Sequence, residues 1–349
     1  MGENGCSAMD GTENNVMKRK INLFITIFLT VLMLMLITGC GKPAERTAGK
    51  TETNANHLKI AAAIFPAYDW TRNVLGENPA GAQLTLLVDN GVDLHSYQPS
   101  VDDILMISNA DLFIYVGGES DQWVTDALKQ AANPDIHILK MIDVIGEAAR
   151  MEESVEGMQA ENEEEDEALD EHIWLSLRNA AVITDAIAAE LSAMDPDNAE
   201  TYSKNAAAYR EKLASLDEKY KQTVDSAKVK TILFGDRFPF RYLIEDYGLS
   251  YYAAFAGCSA ETEASFETIS FLAQKCDELS LPAVLTIDGS DGKIAETIVK
   301  NTDSKDLSIL KLDSMQSVTA RDIQNGTSYL SIMENNLTVL KKALGEEAN

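Results

Sequence analysis

The sequence predicts an α/β protein of two lobes, each a parallel sheet flanked by helices, joined by a long connecting helix. Short apolar runs alternate with amphipathic stretches up to residue 194, and the alternation resumes after residue 226. Strands that alternate with helices form parallel sheets covered on both faces. Between the two halves, apolar residues recur at steps of three and four, which is typical of one long helix.

The N-terminal lobe is expected to span residues 57–194. Its strands are predicted in the apolar runs LKIAAAIF, LTLLVD, DLFIYVG and IHIL. Helices are predicted in YDWTRNVLG, VDDILMISNA, DQWVTDALKQAA and LSLRNAAVITDAIAAELSAM. Ser100 and Asp103 have the spacing of a capping box at the start of the second of these helices.

The connecting helix is expected over residues 195–226. Asp195 is placed to cap it, and Pro196 suits its first helical position. A helix of about 30 residues spans ~45 Å, enough to cross from one lobe to the other.

The C-terminal lobe is expected over residues 227–349. Its predicted strands are KTILFG, LSYYAAF, PAVLTI and SILKL. Its predicted helices lie in FRYLIEDYG, after Phe266, after Lys293 and in YLSIMENNLTVLKKAL.

The first 39 residues read as an N-terminal extension followed by a secretory signal. The basic residues MKRK precede the apolar stretch INLFITIFLTVLMLML, and ITGC follows and ends at Cys40. This ending resembles the lipobox of bacterial lipoproteins, which implies that Cys40 is acylated and that residues 40–56 form a lipidated tether. The alternative is a single transmembrane anchor. Either way we expect the globular part outside the cell membrane.

Charge argues for a cation as ligand. The chain has 56 acidic and 29 basic residues, a net charge of -27, and nucleic-acid binding needs clustered cations instead. Much of the negative charge lies in Met151–Glu171, which has no Lys or Arg. Composition predicts that this acidic segment is a solvated, disordered loop.

Two cysteines lie in the globular part, Cys258 and Cys276. A disulfide between them is one alternative. Cys276 falls about ten residues, or ~15 Å, along the helix that begins at Phe266, so bridging back demands a favourable geometry. Two buried free thiols are therefore expected.

Candidate metal ligands follow several predicted strands. His95 follows LTLLVD, and His172 lies directly after the acidic segment. In open parallel sheets the loops at the C-terminal ends of strands line the ligand crevice. In the C-terminal lobe Asp236, Asp288 and Asp291 lie at such exits, although Asp236 and Asp291 could simply cap helices. Two His and a carboxylate would suit Zn²⁺ or Mn²⁺. The remaining histidines, His57 and His137, are assigned no role.

Two histidine motifs resemble those of a known family, the metal-binding lipoproteins that serve ABC importers of zinc and manganese. GVDLHSYQPS is similar to the family's first ligand loop and EHIWLSLRNA to its second, which carries the first two ligands onto His95 and His172. The connecting helix and ETEAS are similar as well. The resemblance implies one metal ion bound in the cleft between the lobes and passed to a membrane permease.

The family's third ligand position departs from the pattern. There the chain has GDRFPFRYL, which puts Arg237 at the position of a His or Glu. An arginine cannot coordinate a cation. We expect carboxylates to replace it, Asp288 first and Asp236 second, with Arg237 orienting them.

The predicted function is therefore a non-catalytic receptor for a divalent metal, and two imidazoles favour zinc. Manganese or iron remain alternatives for the same kind of receptor. A surface adhesion lipoprotein and a metal-dependent hydrolase are the other classes, but the sequence has neither HExxH nor GxSxG. The expected partners are the metal ion, an ABC permease and the membrane through Cys40, with no nucleic acid and the protein acting as a monomer.

Overall fold

A computed structural model describes residues 57–159, 168–259 and 263–346. The N-terminal lobe contains a parallel four-stranded sheet in the order β2-β1-β3-β4. Its strands are β1 (Lys59–Ala62), β2 (Gln83–Leu86), β3 (Leu112–Tyr115) and β4 (His137–Lys140). The helices of this lobe are α1 (Phe65–Leu75), α2 (Val101–Ser108), α3 (Gln122–Lys129), α4 (Met141–Ile145) and α5 (Leu177–Met194).

The C-terminal lobe repeats the arrangement with a parallel sheet in the order β6-β5-β7-β8. Its strands are β5 (Thr231–Phe238), β6 (Ser250–Ala256), β7 (Ala283–Ile287) and β8 (Ser308–Leu312). After the connecting helix α6 (Ala199–Ser226), the helices of this lobe are α7 (Arg241–Tyr247), α8 (Phe266–Leu279), α9 (Lys293–Asn301), α10 (Ala320–Gln324) and α11 (Tyr329–Ala343). All strand pairs in both sheets are parallel, so within each sheet the C-terminal ends of the strands lie at one edge.

The connecting helix α6 contacts both lobes. Asn205 donates to the carbonyl of Val74 in α1, at 2.9 Å, and Tyr220 donates its hydroxyl to the carbonyl of Met333 in α11, at 2.7 Å. Tyr220 is fully buried, so its hydroxyl needs this partner. Hydrogen bonds near each end therefore fix the helix to both lobes.

The lobes are also joined directly by buried hydrogen bonds around Trp174 and Tyr329. The indole of Trp174 donates to the carbonyl of Ser314 at 2.9 Å, and the hydroxyl of Tyr329 donates to the carbonyl of Trp174 at 2.7 Å. The backbone N–H of Tyr329 donates to Asp69 at 3.0 Å. One hydrophobic core runs through residues of both lobes at this contact. Such contacts hold the strand exits of the two sheets in a fixed relation.

The predicted fold class is confirmed, and its local signals can be checked residue by residue. Ser100 and Asp103 form both hydrogen bonds of a capping box. Pro196 starts a short 3-10 turn before α6, but the carboxylate of Asp195 accepts from Asn198 and Tyr202 instead of capping the backbone. Among the described residues no helix has both the length and the apolar character to cross a bilayer. The predicted signal, the lipobox and Cys40 lie outside the described residues.

Candidate metal site between the lobes

His95 lies on a short 3-10 turn, Leu94–Ser96, in the loop after β2. The side chain of Asp93 caps this turn by accepting the backbone N–H of His95 at 2.9 Å. The imidazole Nδ1 lies 2.7 Å from the hydroxyl of Ser120 and 3.5 Å from a carboxylate oxygen of Glu171. Oxygen atoms thus hold one side of the ring, and the Nε2 side points away from them.

His172 is fully buried, and its imidazole is hydrogen-bonded to the carboxylate of Asp170. One oxygen of Asp170 accepts both the backbone N–H of His172, at 2.8 Å, and the ring Nδ1, at 2.9 Å. A proton on Nδ1 leaves the lone pair on Nε2. Metal-binding histidines in proteins are oriented in this way by a carboxylate on the far nitrogen.

The two rings face each other through their Nε2 atoms, which are 3.1 Å apart. Two nitrogens bound to one tetrahedral zinc, at 2.0 to 2.1 Å each, lie about 3.3 to 3.4 Å apart. The Nδ1 contacts direct both Nε2 lone pairs into the same small space. A cation between them satisfies both nitrogens at once.

Burial keeps both rings neutral. Desolvation, followed by the neighbouring His172, lowers the pKa of His95 to about 4. Desolvation also lowers the pKa of His172. Imidazole must be uncharged to bind a metal, so both rings are in the binding form at neutral pH. Burial has the opposite effect on the carboxyl of Asp170 and raises its pKa to about 7.

The prediction of a solvated acidic loop is wrong for the two ends of the segment Met151–Glu171. Glu152 is 8% exposed, Asp170 0% and Glu171 1%. Met151 and Leu169 form an antiparallel bridge, and Glu171 accepts the backbone N–H of Ser120 at 2.7 Å. Asp170 and Glu171 each have specific donors at one carboxylate oxygen, which composition alone does not reveal. Residues 160–167 of the segment lie outside the described residues.

The structure does not bring the predicted carboxylates Asp288 and Asp236 to the histidines. Among the described residues, the groups of three or more potential ligands within 4.8 Å of one another are His95, His172 and Cys258, and Glu152, Asp170 and His172. The oxygens of Asp288 accept the backbone N–H and hydroxyl of Ser314 and of Ser317, at 2.5 to 3.0 Å. Ligation by Asp288 or Asp236 stays a prediction that this geometry does not support.

The other two polar residues of these exits also have local partners. Asp236 accepts the backbone N–H of Arg237 at 2.9 Å and that of Ile287 at 3.4 Å. Asp291 is exposed and accepts the backbone N–H of Lys293, the first residue of α9, at 3.0 Å, but the N-cap position of this helix is occupied by Gly292, so the prediction that Asp291 caps it is wrong.

Arg237 does not orient either predicted carboxylate. Its guanidinium forms an ion pair with Asp93 of the N-terminal lobe, at 2.6 Å, and contacts the carbonyl of Ser259. The pairing lowers the pKa of Asp93 against the effect of burial. The residue at the family's third ligand position thus joins the lobes next to His95.

Cys258 is the residue near the histidines that sequence reasoning missed. It lies in the turn after β6, half-buried, and both it and Cys276 are free thiols, as expected. The signal was available, because the rule that singled out the exits of β5 and β7 applies equally to the exit of β6. The prediction of a free thiol is confirmed, but Cys258 is half-buried rather than buried.

An open cleft of about 550 Å³ lies beside this group, between the lobes. Its lining includes residues that flank His95 and Cys258 in the sequence. Four aspartates and one arginine give it a negative balance: Asp93, Asp236, Asp288, Asp291 and Arg237.

The histidines without an assigned role have other partners. His57 contacts the carbonyl of Ala80 at 2.8 Å, and the Nδ1 of His137 lies 2.9 Å from a carboxylate oxygen of Glu190 on the surface.

The chain is similar in sequence to known zinc-binding and zinc-uptake proteins. The model of the family ZnuA, zinc-uptake complex component A periplasmic, matches residues 60–343. The zinc-binding lipoprotein AdcA of Streptococcus pneumoniae is 31% identical over 327 residues, 93% of this chain, and the chain spans 61% of the length of that relative. The high-affinity zinc uptake system protein ZnuA of Bacillus subtilis is 27% identical over 91% of this chain and 97% of its own length.

A solved structure has the same fold. The Zn(II)-bound ZnuA-like domain of Streptococcus pneumoniae AdcA superposes with a TM-score of 0.65 at 29% identity, covering 83% of this chain and 100% of that domain. These relatives are named as zinc-binding or zinc-uptake proteins rather than as enzymes, which agrees with the expectation of a non-catalytic receptor. Because the family model covers most of the chain, this protein belongs to the ZnuA family, the periplasmic A components of zinc-uptake complexes.

Proposed function

We propose that this protein captures Zn²⁺ outside the cell membrane and delivers the ion to the permease of an ABC importer. A lipid on Cys40 anchors the protein to that membrane. His95 and His172 are the ligands of the N-terminal lobe, residues 57–194. The connecting helix, residues 195–226, and the C-terminal lobe, residues 227–349, complete the receptor, which acts as a monomer.

The observation that carries this proposal is the convergence of the two Nε2 atoms at 3.1 Å. Each ring has oxygen partners at Nδ1, from Asp170 for His172 and from Ser120 and Glu171 for His95. The rings are therefore positioned before the ion arrives, and binding requires little rearrangement of the N-terminal lobe. These contacts position two imidazoles to bind a metal ion. This favours a protein that binds the metal over one that uses it for catalysis.

The cleft gives the ion a negatively charged approach. Asp93, Asp236, Asp288 and Asp291 outnumber the one arginine in its lining. Carboxylates around a cleft raise the local concentration of cations and their rate of arrival. The predicted ligands Asp236 and Asp288 thus have a place on the approach to the site.

Anchoring and delivery are supported by the sequence and by relatives. The residues ITGC up to Cys40 have the lipobox pattern, and the Streptococcus pneumoniae relative is named a lipoprotein. Replacing Cys40 with Ala in the native host should release the protein from the membrane fraction while leaving zinc binding of the purified protein unchanged. Membrane retention of the Cys40→Ala protein would argue against the lipid anchor.

A receptor of the same type for manganese or iron is the alternative. Neutral imidazole nitrogen suits zinc and iron, whereas manganese prefers oxygen ligands. A competition titration with Zn²⁺, Mn²⁺ and Fe²⁺ decides between them, and preferred binding of Mn²⁺ or Fe²⁺ would select the alternative.

The decisive experiment is a zinc titration of residues 41–349, with and without His95→Ala plus His172→Ala. We expect one tight equivalent of zinc in the natural sequence and its loss in the double variant, with the melting temperature of the metal-free protein retained. His137→Ala is the matched control, because it removes an imidazole from the same lobe at the surface. Equal zinc affinity in all three proteins would contradict the proposal.

Import is tested in cells. Deleting the gene from its host should slow growth in medium depleted of zinc by a chelator, and added zinc should restore growth. A deletion strain that grows normally in that medium would show that the protein does not serve zinc uptake.

A further inference from the structure

The C-terminal lobe lacks a ligand where the family resemblance leads one to expect it. That position holds Arg237, whose guanidinium carries only donors and is bound to Asp93 and to the carbonyl of Ser259. The carboxylates at the neighbouring strand exits accept hydrogen bonds from their own lobe. Two imidazoles alone leave at least one protein position of a zinc site unfilled.

Cys258 fills the gap in space. Its Sγ and one nitrogen of each imidazole, from His95 and His172, all lie within 4.8 Å of one another. Among the described residues, this is the group of potential ligands that includes residues of both lobes. Cysteine sulfur binds zinc at about 2.3 Å and imidazole at about 2.0 to 2.1 Å, so one ion can contact all three after small adjustments.

The chain before the cysteine fits closely against His172. A Cβ on Gly257 would lie 3.1 Å from Cε1 and 3.2 Å from Nδ1 of the His172 ring, and 2.9 Å from the carbonyl oxygen of Phe238. Only glycine lets the turn after β6 come this near to the imidazole. The close approach brings the next residue, Cys258, near the ring of His172.

A carboxylate also lies near the thiol. Glu152, from the acidic segment, is buried close to Cys258 and to the backbone of Gly257. Its position beside the sulfur is comparable to that of Asp170 beside His172. Ligands of bound metals commonly have such outer partners.

The second cysteine shows what a purely structural thiol looks like in this chain. Cys276 lies in α8, 1% exposed, within an apolar cluster that includes Leu272, Val284 and Ile298. It belongs to neither group of potential metal ligands among the described residues. Cys258, by contrast, lies among polar groups, two imidazoles and a carboxylate.

We propose that the thiolate of Cys258 is the ligand that the C-terminal lobe contributes, so that the metal is held by His95, His172 and Cys258. This inference rests on the proposed function, since it completes the same site. It moves the third ligand from the exit of β5 to the exit of β6 and gives Arg237 a different task, pairing with Asp93 across the cleft. On binding, the thiol loses its proton to a base or to solvent and the sulfur forms a bond to the metal.

A sulfur ligand has a consequence for metal choice. Thiolate and imidazole together favour Zn²⁺, whereas Mn²⁺ prefers carboxylate and other oxygen ligands. The inference therefore gives a reason within this chain for selection of zinc over manganese.

The test uses Co²⁺ and Zn²⁺ with residues 41–349 in the natural sequence and with Cys258→Ser. Cobalt bound by a thiolate gives an intense sulfur-to-metal charge-transfer absorption in the near ultraviolet, and zinc X-ray absorption should show a sulfur neighbour at about 2.3 Å. Cys258→Ser should abolish both signals. It should also weaken zinc binding by more than the roughly 10- to 100-fold that follows loss of an outer-shell partner.

Cys276→Ser is the matched control, since it removes the other free thiol of the globular part. It should leave the cobalt absorption and the zinc affinity unchanged even if it lowers the melting temperature. The ratio of the affinity for Zn²⁺ to the affinity for Mn²⁺ should fall in Cys258→Ser and stay the same in Cys276→Ser.

The outcomes separate this inference from the function on which it rests. Unchanged zinc affinity in Cys258→Ser, or the absence of a sulfur signal in the metal-loaded natural sequence, would overturn the thiolate ligand. If the double histidine variant still loses zinc in that case, the receptor function stands with a different third ligand. If the natural sequence takes up no zinc, both fail.

Discussion

The two lobes use their acidic side chains near the cleft in opposite ways. In the N-terminal lobe Asp170 and Glu171 lie behind the rings of His172 and His95 and leave their Nε2 atoms free. In the C-terminal lobe Asp288 uses its oxygens to accept hydrogen bonds from Ser314 and Ser317. Acidic side chains thus orient imidazoles in one lobe and hold a loop in the other. Whether a polar side chain can bind a metal depends on its free bonding capacity.

In the proposed metal site the two lobes also contribute different side chains. The N-terminal lobe supplies two neutral imidazoles that are buried and held at Nδ1. The C-terminal lobe brings Cys258 from a turn whose glycine touches His172. The predictions below test this division of labour, from the largest expected effect to the smallest.

Asp288→Asn should destabilise the protein without removing a ligand. Asparagine keeps one acceptor oxygen of two, and each lost bond to a charged group costs about 1.5 to 3 kcal/mol, so two lost bonds cost about 3 to 6 kcal/mol of unfolding free energy. Chemical denaturation of the metal-free protein measures this loss.

Zinc affinity of the folded Asp288→Asn protein should change little. Asp291→Asn is the control, because this exposed carboxylate accepts one backbone N–H and its loss should cost about 1 kcal/mol or less. A stable Asp288→Asn protein that has lost zinc binding by orders of magnitude would restore Asp288 as a ligand and remove the contrast between the lobes.

Asp246 lies where the two lobes meet, and its negative charge should lower the unfolding free energy at neutral pH. Asp246→Asn removes that charge and so tests this effect. Burial, partly offset by a hydrogen bond from Ser176 at 2.6 Å and by Arg178, raises the pKa of Asp246 from 3.8 to about 6. A carboxyl whose pKa is raised by folding contributes stability below pH 3.8 that is lost as the pH rises through about 6.

The unfolding free energy of Asp246→Asn, relative to the natural sequence, should therefore rise between pH 4 and pH 7. A shift of this size corresponds to at most about 3 kcal/mol. Denaturation of both proteins at several pH values measures the difference. A difference that stays constant with pH would show that Asp246 titrates normally.

Asp170→Asn should weaken zinc binding while the fold persists. The carboxylate that accepts the Nδ1 proton of His172 is replaced by an amide, and loss of such an outer partner costs about 10- to 100-fold in metal affinity. Competition with a zinc chelator measures the change. Asp185→Asn is the control, since Asp185 forms an exposed ion pair with Arg210 away from the histidines. Equal affinity of the two variants would mean that Asp170 does not support His172.

Patterns within short stretches of sequence predicted the secondary structure and two candidate metal ligands. Alternation of apolar runs with helical spacing predicted both parallel sheets, and the capping box at Ser100 and Asp103 formed as expected. His95 and His172 stood out because each lies in a motif with a local signal. Such features depend on neighbours within a few residues, which the sequence displays directly.

Contacts between distant residues decided the rest. Composition made Glu152 and Glu171 look like parts of a solvated loop, whereas they are buried against donors or a thiol from other elements. Asp288 looked like a ligand until Ser314 and Ser317 were seen to occupy its oxygens.

The sequence by itself determined the fold class, the connecting helix and the two histidines, because hydrophobic spacing and local motifs encode them. Only the tertiary structure decided that the rings meet at Nε2, that Arg237 pairs with Asp93, and that Cys258 arrives beside His172. The physical reason is that a ligand set is a set of distances among residues far apart in the chain. The packing of the lobes sets those distances, and no short stretch of sequence contains them.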